Sequence, residues 1–168
     1  TGITLNSTTS ALTISTTAMT VNAAGTTLTN SSGTTLLTVS GGIIGTGNLI
    51  LNNNSATNDG ITLSTISVNN TGTITNSGAS TARALISASI DTNVTGIIQN
   101  SSGSPLRLSG ANTFTGGLTI KSGIVEGLTN ATAFGAPGST ITIGDSAGGN
   151  NNATLRFAGG ITASNPII

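Results

Sequence analysis

Short apolar pairs separated by a single polar residue recur along the whole chain, a spacing that suits neither a helix nor a long buried run. The pairs are Ile3 and Leu5, Leu12 and Ile14, Met19 and Val21, Leu49 and Leu51, Ile61 and Leu63, and Ile66 and Val68. Leu106 and Leu108, Leu118 and Ile120, Ile141 and Ile143, and Leu155 and Phe157 continue the series. Alternation with period two sends one set of side chains inward and leaves Thr, Ser or Asn outward, as in a half-buried strand. Thr and Ile favour extended backbone, and no long window carries an apolar stripe at helical spacing. The expectation is an all-β chain with essentially no helix.

Clusters of Gly, Asn and Ser separate the pairs, among them Gly41-Gly42, Asn52-Asn53-Asn54, Asn69-Asn70, Gly116-Gly117 and the stretch 149–152. Such residues tolerate left-handed backbone and tight turns. Strand and turn signals alternate too quickly for a sandwich of long strands. GGIIGTGNLIL at 41–51 and TGIIQNSSGSPLRL at 95–108 are similar units, the second with an insertion. Irregular repeats of roughly 20 to 25 residues fit a right-handed parallel β-helix, in which insertions leave the coil as loops. An antiparallel sandwich and an irregular meander are the other all-β readings. Seven or eight irregular rungs about 4.8 Å apart would form one domain over 1–168, a rod on the order of 35 to 40 Å long.

The composition agrees with stacked turns. Aromatic residues make up 2% of the chain, all of them Phe, so the interior must be filled by aliphatic columns. Charged residues make up 5%, against roughly 25% in an average domain. Mean hydropathy is +0.27 with three prolines, which sets the chain apart from charged or proline-rich disordered sequences. Aligned rungs place like side chains in register and favour buried or exposed Asn and Thr ladders.

Several function classes lose their chemical basis. With a formal net charge of +0 and four basic residues, Arg83, Arg107, Lys121 and Arg156, the chain has no field or groove for nucleic acid. No stretch is long and apolar enough for a membrane span, and no signal peptide is visible at Thr1. Absence of Cys and His removes thiolate and imidazole metal ligands, the usual proton shuttle and the common nucleophile pairs. A Ca²⁺-dependent polysaccharide lyase would need converging carboxylates and a basic partner. The four acids, Asp59, Asp91, Glu126 and Asp145, are widely spaced and read as solvated loop or turn residues. The expectation is a non-enzymatic protein with no catalytic, metal or cofactor residues. Asn-x-Ser/Thr triplets at Asn6, Asn30, Asn53, Asn69, Asn93, Asn100, Asn130 and Asn152 arise by chance in so Asn-, Ser- and Thr-rich a chain.

One stretch is more specific. Residues 108–127 read LSGANTFTGGLTIKSGIVEG, placing a strand, a glycine turn and another strand in sequence. Leu108, Ser109, Gly110, Asn112, Thr113, Thr115, Gly116, Gly117 and Thr119 match the passenger-associated β-strand repeat of bacterial autotransporters, with Phe114 where that family usually has Tyr. VSGGIIGTGNLIL at 39–51 resembles the connector between such repeats, and TLRFAGG at 154–160 is a looser echo. This resemblance implies a secreted β-helix at the surface of a Gram-negative bacterium, with the 108–127 repeat contributing to export and folding.

The ends bear on partners. Residues 1–58 contain no charged side chain, so the amino-terminal rung has no electrostatic guard against strand addition. Residues 1–21 can act as an extending or donor strand segment. The leading expectation is an extracellular rod that forms, or polymerises head to tail into, a surface fibre or stalk, with the chain itself as partner. The alternative is an autotransporter passenger segment acting as an adhesin scaffold, with loops 77–80 or 144–152 contacting a surface glycan or host surface. A minor alternative is ice binding, through Thr71, Thr73 and Thr75 and through Thr140 and Thr142, which would need Thr pairs at a constant interval.

Overall fold

The computed structural model describes residues 1–144 and 152–168. The first turn holds β1 (Gly2–Leu5), β2 (Leu12–Ile14) and β3 (Met19–Val21); the second holds β4 (Thr26–Asn30), β5 (Leu37–Val39) and β6 (Ile43–Gly45). Later turns carry β7 (Leu49–Asn53) with β8 (Ile61–Leu63), β9 (Gly72–Asn76) with β10 (Ala84–Ile86), and β11 (Val94–Asn100) with β12 (Leu106–Leu108). They are followed by β13 (Leu118–Leu128), β14 (Ile141–Ile143) and β15 (Ala153–Ala158). There is no helix among the described residues. Every strand pairs in parallel with its counterpart one turn away, giving a β-solenoid of about six turns, close to the seven or eight expected.

The coil has three faces. The first stacks β1, β4, β7, β9, β11, β13 and β14; the second stacks β2, β5, β8, β10, β12, β13 and β15. The third begins as β3 and β6 and continues by single bridges through Val68 and Ile90. β13 belongs to two faces because it rounds their shared corner without a loop, which merges them into one 13-stranded sheet.

Period-two pairing creates the core directly. Leu49, Ile74, Ile97, Leu118 and Ile141 form one inward column on the first face, all buried. Ile14, Val39, Leu63, Ile86 and Leu108 form another on the second face, ending in Gly127 and Phe157. Each buried Leu or Ile stabilises the stack by about 1.5–3 kcal/mol relative to exposure. One pair departs from the pattern: Val68 is buried, but Ile66 lies outside the strands at a corner and is 55% exposed. The alternation there marks a bend and a single bridge rather than a continuous strand.

The corner between the first and second faces is lined by amides. Asn30 donates through Nδ2 to the Thr35 and Gly60 carbonyls and accepts from the Ser32 amide at 2.9 Å. One turn on, Asn53 donates to the Ala82 and Arg83 carbonyls and accepts from the Ser55 amide. Both are fully buried. Their short amides bond backbone groups at the corner, alone among the described residues at the Arg83 carbonyl and beside a second donor at Gly60 and Ala82.

Residues 1–21 do not project as a free segment. They wind as the first turn, with β1, β2 and β3 registered on β4, β5 and β6. Ile3, Leu12, Ile14 and Met19 are only partly buried, because one side of that turn has no neighbour in the described chain. At the opposite end Ile143, Phe157, Ile167 and Ile168 are exposed. Ile167 bridges to Ile141 and extends the first face by a partial strand.

Candidate functional surface

The stretch 108–127 forms one closed turn. Leu108 pairs with Gly127 across the second face, so the twenty residues leave that face, cross the third and the first, and return directly above their starting point. Two of the matched residues, Asn112 and Gly116, have identifiable roles in that circuit. Asn112 is buried and accepts from the Ile90 amide at 2.9 Å while donating to the Ala133 carbonyl at 2.7 Å. It thereby joins turns on either side where the third face lacks a strand. Phe114 is fully buried, and Leu118 and Ile120 enter the first-face columns. Gly116 is fixed by contact, since a Cβ there would run into the Thr95 carbonyl oxygen. The motif is thus spent on winding, and Phe114 is a core residue as expected.

The acids divide: Asp59 and Asp91 lie outside the strands, as expected, although Asp59 is ion-paired, whereas Glu126 does not. Asp59 sits in a turn at φ 59°, where Arg83 donates to it twice, Nε to Oδ1 at 2.7 Å and Nη2 to Oδ2 at 2.9 Å. Glu126 lies within β13 and is only 9% exposed. Its Oε2 accepts from Arg107 Nε at 2.7 Å, with Arg107 Nη2 at 2.6 Å, and its Oε1 is 3.7 Å from Arg156 Nη1. Register explains this: Arg107, Glu126 and Arg156 are consecutive members of one outward column on the second face. That corrects the reading of Glu126 as a loop residue. The signal was hidden because the partners are set by the lengths of intervening turns, not by sequence spacing. Lys121 is half-buried on β13 and is also engaged. Asp91 is half-buried in a turn, and Asp145 lies outside the described residues.

Among the described residues no three His, Cys, Asp or Glu side chains come together in a way that could hold a metal ion. Glu126 is committed to two guanidinium groups and Asp59 to one. Neither carboxylate is poised as a base, which needs a free lone pair facing a substrate. No described helix is long and apolar enough to cross a membrane.

The outward surfaces are largely neutral. On the first face one column reads Thr27, Ile50, Thr75, Ile98, Thr119 and Thr142. Thr73 and Thr75 are half-buried there, whereas Thr71 lies in the exposed turn before β9 and Thr140 precedes β14. Ile50 and Ile98 interrupt the hydroxyls, so Thr pairs do not repeat at each turn. The 77–80 loop joins β9 to β10 and exposes Ser77 and Ala79, while Ser80 donates to the Ser55 carbonyl of the preceding turn. Of the 144–152 loop, residues 145–151 lie outside the described residues.

Comparison with protein-family models, curated proteins and solved structures returns no match for this chain.

Proposed function

We propose that this chain is a non-enzymatic, extracellular structural protein: a β-helical rod that associates end to end with further copies into a bacterial surface fibre or stalk. The observation that carries this reading is that two inward columns of the coil begin and end in apolar side chains. The column holding Ile3 on the first turn ends at Ile143 on β14, and the column holding Ile14 ends at Phe157 on β15. Both ends therefore present apolar side chains beside strand edges with no partner among the described residues: β1 and β2 at one end, β15 and the 166–168 segment that covers β14 at the other. A heterologous contact between such ends propagates instead of closing. The charge-free first turn offers no repulsion to an incoming strand.

A second reading is favoured by the 108–127 turn and its resemblance to the passenger-associated repeat: the chain is a segment of an autotransporter passenger that carries adhesive loops. Electron microscopy with sedimentation velocity over a range of concentrations separates the two. Seven stacked layers at about 4.8 Å spacing repeat every ~34 Å when copies join in register, so end-to-end assembly gives unbranched fibres with an axial repeat near that length. Short rods of constant length at every concentration would reject self-assembly and turn attention to the passenger reading.

A further inference from the structure

One inward column of the first face is not uniform. It reads Ile3, Leu28, Leu51, Asn76, Gln99, Ile120 and Ile143. Two amides replace aliphatic side chains on adjacent turns in the middle of the rod, and both are 0% exposed. Asn76 Nδ2 donates to Gln99 Oε1 at 2.8 Å and to the Ser104 carbonyl at 2.7 Å. Gln99 Nε2 donates to the Ser101 and Ser104 carbonyls, each at 2.9 Å. These residues differ from Asn30 and Asn53, which occupy the next inward column alongside Leu5. Asn30 and Asn53 also have their Oδ1 atoms satisfied locally, whereas Asn76 Oδ1 has no partner among the described residues. Leucine at position 76 would carry no such unpaired atom and would leave the Ser104 carbonyl its bond from Gln99, so the bonds Asn76 makes do not by themselves account for an amide there.

We propose that the Asn76–Gln99 pair determines which turn stacks on which. The turns are so alike in chemistry that a coil with one turn looped out would keep most of its aliphatic contacts. Looping out the turn that carries Asn76 sets Gln99 against Leu51; looping out the turn that carries Gln99 sets Asn76 against Ile120. Either slip leaves a buried amide facing an aliphatic side chain, and only the native stacking lets the two amides meet. A buried Asn fixes the register of coiled coils by the same discrimination. This inference concerns folding of the single chain and does not depend on end-to-end assembly.

The chain has no Cys, so engineered pairs report register without interference. Thr75 and Ile98 are direct outward partners on adjacent turns, while Ile50 and Ile98 are separated by the turn between them. Two strand spacings are about 9.6 Å, beyond the ~7 Å a disulfide can bridge. Each Cys pair is placed in the parent chain, in an Asn76→Leu/Gln99→Leu chain and in an Asn76→Gln/Gln99→Asn chain, unfolded, refolded and oxidised. The parent and the exchanged chain should give the 75–98 bridge. The double-leucine chain should fold and raise the 50–98 bridge by about tenfold or more, since an unpaired buried amide no longer disfavours the slipped state. Native bridging alone in the double-leucine chain overturns the proposal. So does its failure to fold, which would make the amides stabilising elements, and so does equal slippage in the exchanged chain.

Discussion

Replacing Phe114 with alanine tests the core assignment of the 108–127 turn most directly. The ring is fully buried, and the chain packs so closely around it that a Cβ on Gly135 would lie 2.9 Å from Phe114 Cε2. Truncation of such a side chain costs about 3 to 5 kcal/mol, the transfer loss plus the cavity left behind. At about 2.1 cal/mol/K per residue, the unfolding entropy of 168 residues is about 0.35 kcal/mol/K, so the midpoint should fall by about 8 to 14 °C. Phe157 is the internal control. It is 46% exposed and meets Phe134 edge to face at 5.2 Å between ring centroids, so Phe157→Ala should cost only about 1 to 2 kcal/mol. Thermal and urea unfolding followed by far-ultraviolet circular dichroism give both values. Because stacked turns are coupled mainly to their neighbours, the Phe114 variant should also broaden or split the transition. A midpoint within about 2 °C of the parent, or a smaller loss than Phe157→Ala, would refute the argument that packing on this turn sets the stability.

Further substitutions probe the corners and the charged column. Glu126→Gln leaves Arg107 half-buried without its carboxylate and should cost about 1 to 3 kcal/mol in urea unfolding. Asp59→Asn, at a more exposed pair, should cost about 0 to 1 kcal/mol by the same measurement. Gly123→Ala should be among the worst single changes on β13, since φ is 77° and the added Cβ would strike the Ser101 carbonyl oxygen. Loss of soluble protein, or a fall in midpoint exceeding that of Gly138→Ala, where a Cβ meets open space, is the expected result. Asn53→Ala strands the Arg83 carbonyl and leaves the Ala82 carbonyl only its Ser104 hydroxyl donor; it should cost about 1 to 3 kcal/mol, with faster amide exchange confined to that corner.

The strands were legible because a period-two pair such as Leu49 and Leu51 needs no knowledge of distant residues to face inward. Leu106 with Leu108 and Leu118 with Ile120 were equally plain, and the Gly and Asn clusters between them marked the corners. What the sequence hid was register. Arg107, Glu126 and Arg156 become neighbours only because the turns between them contain particular numbers of residues. The same holds for Asn76 and Gln99, each of which looks like an ordinary polar residue at the end of a strand. Ile66 misled for the opposite reason: it stands two residues before Val68, but the backbone bends between them, so local alternation overstated the strand. The 108–127 resemblance pointed to a repeat, and the partnership of Leu108 with Gly127 gives that repeat its physical meaning as one circuit of the coil.

That circuit makes the segment a unit of length. The nineteen residues from Leu108 to Glu126 carry the chain through one circuit, so such a unit can be inserted or removed while everything before and after it keeps its alignment. Each added copy would lift the following turns by about 4.8 Å and leave their columns intact. Reach, in such a molecule, is adjusted in whole steps, like links in a chain.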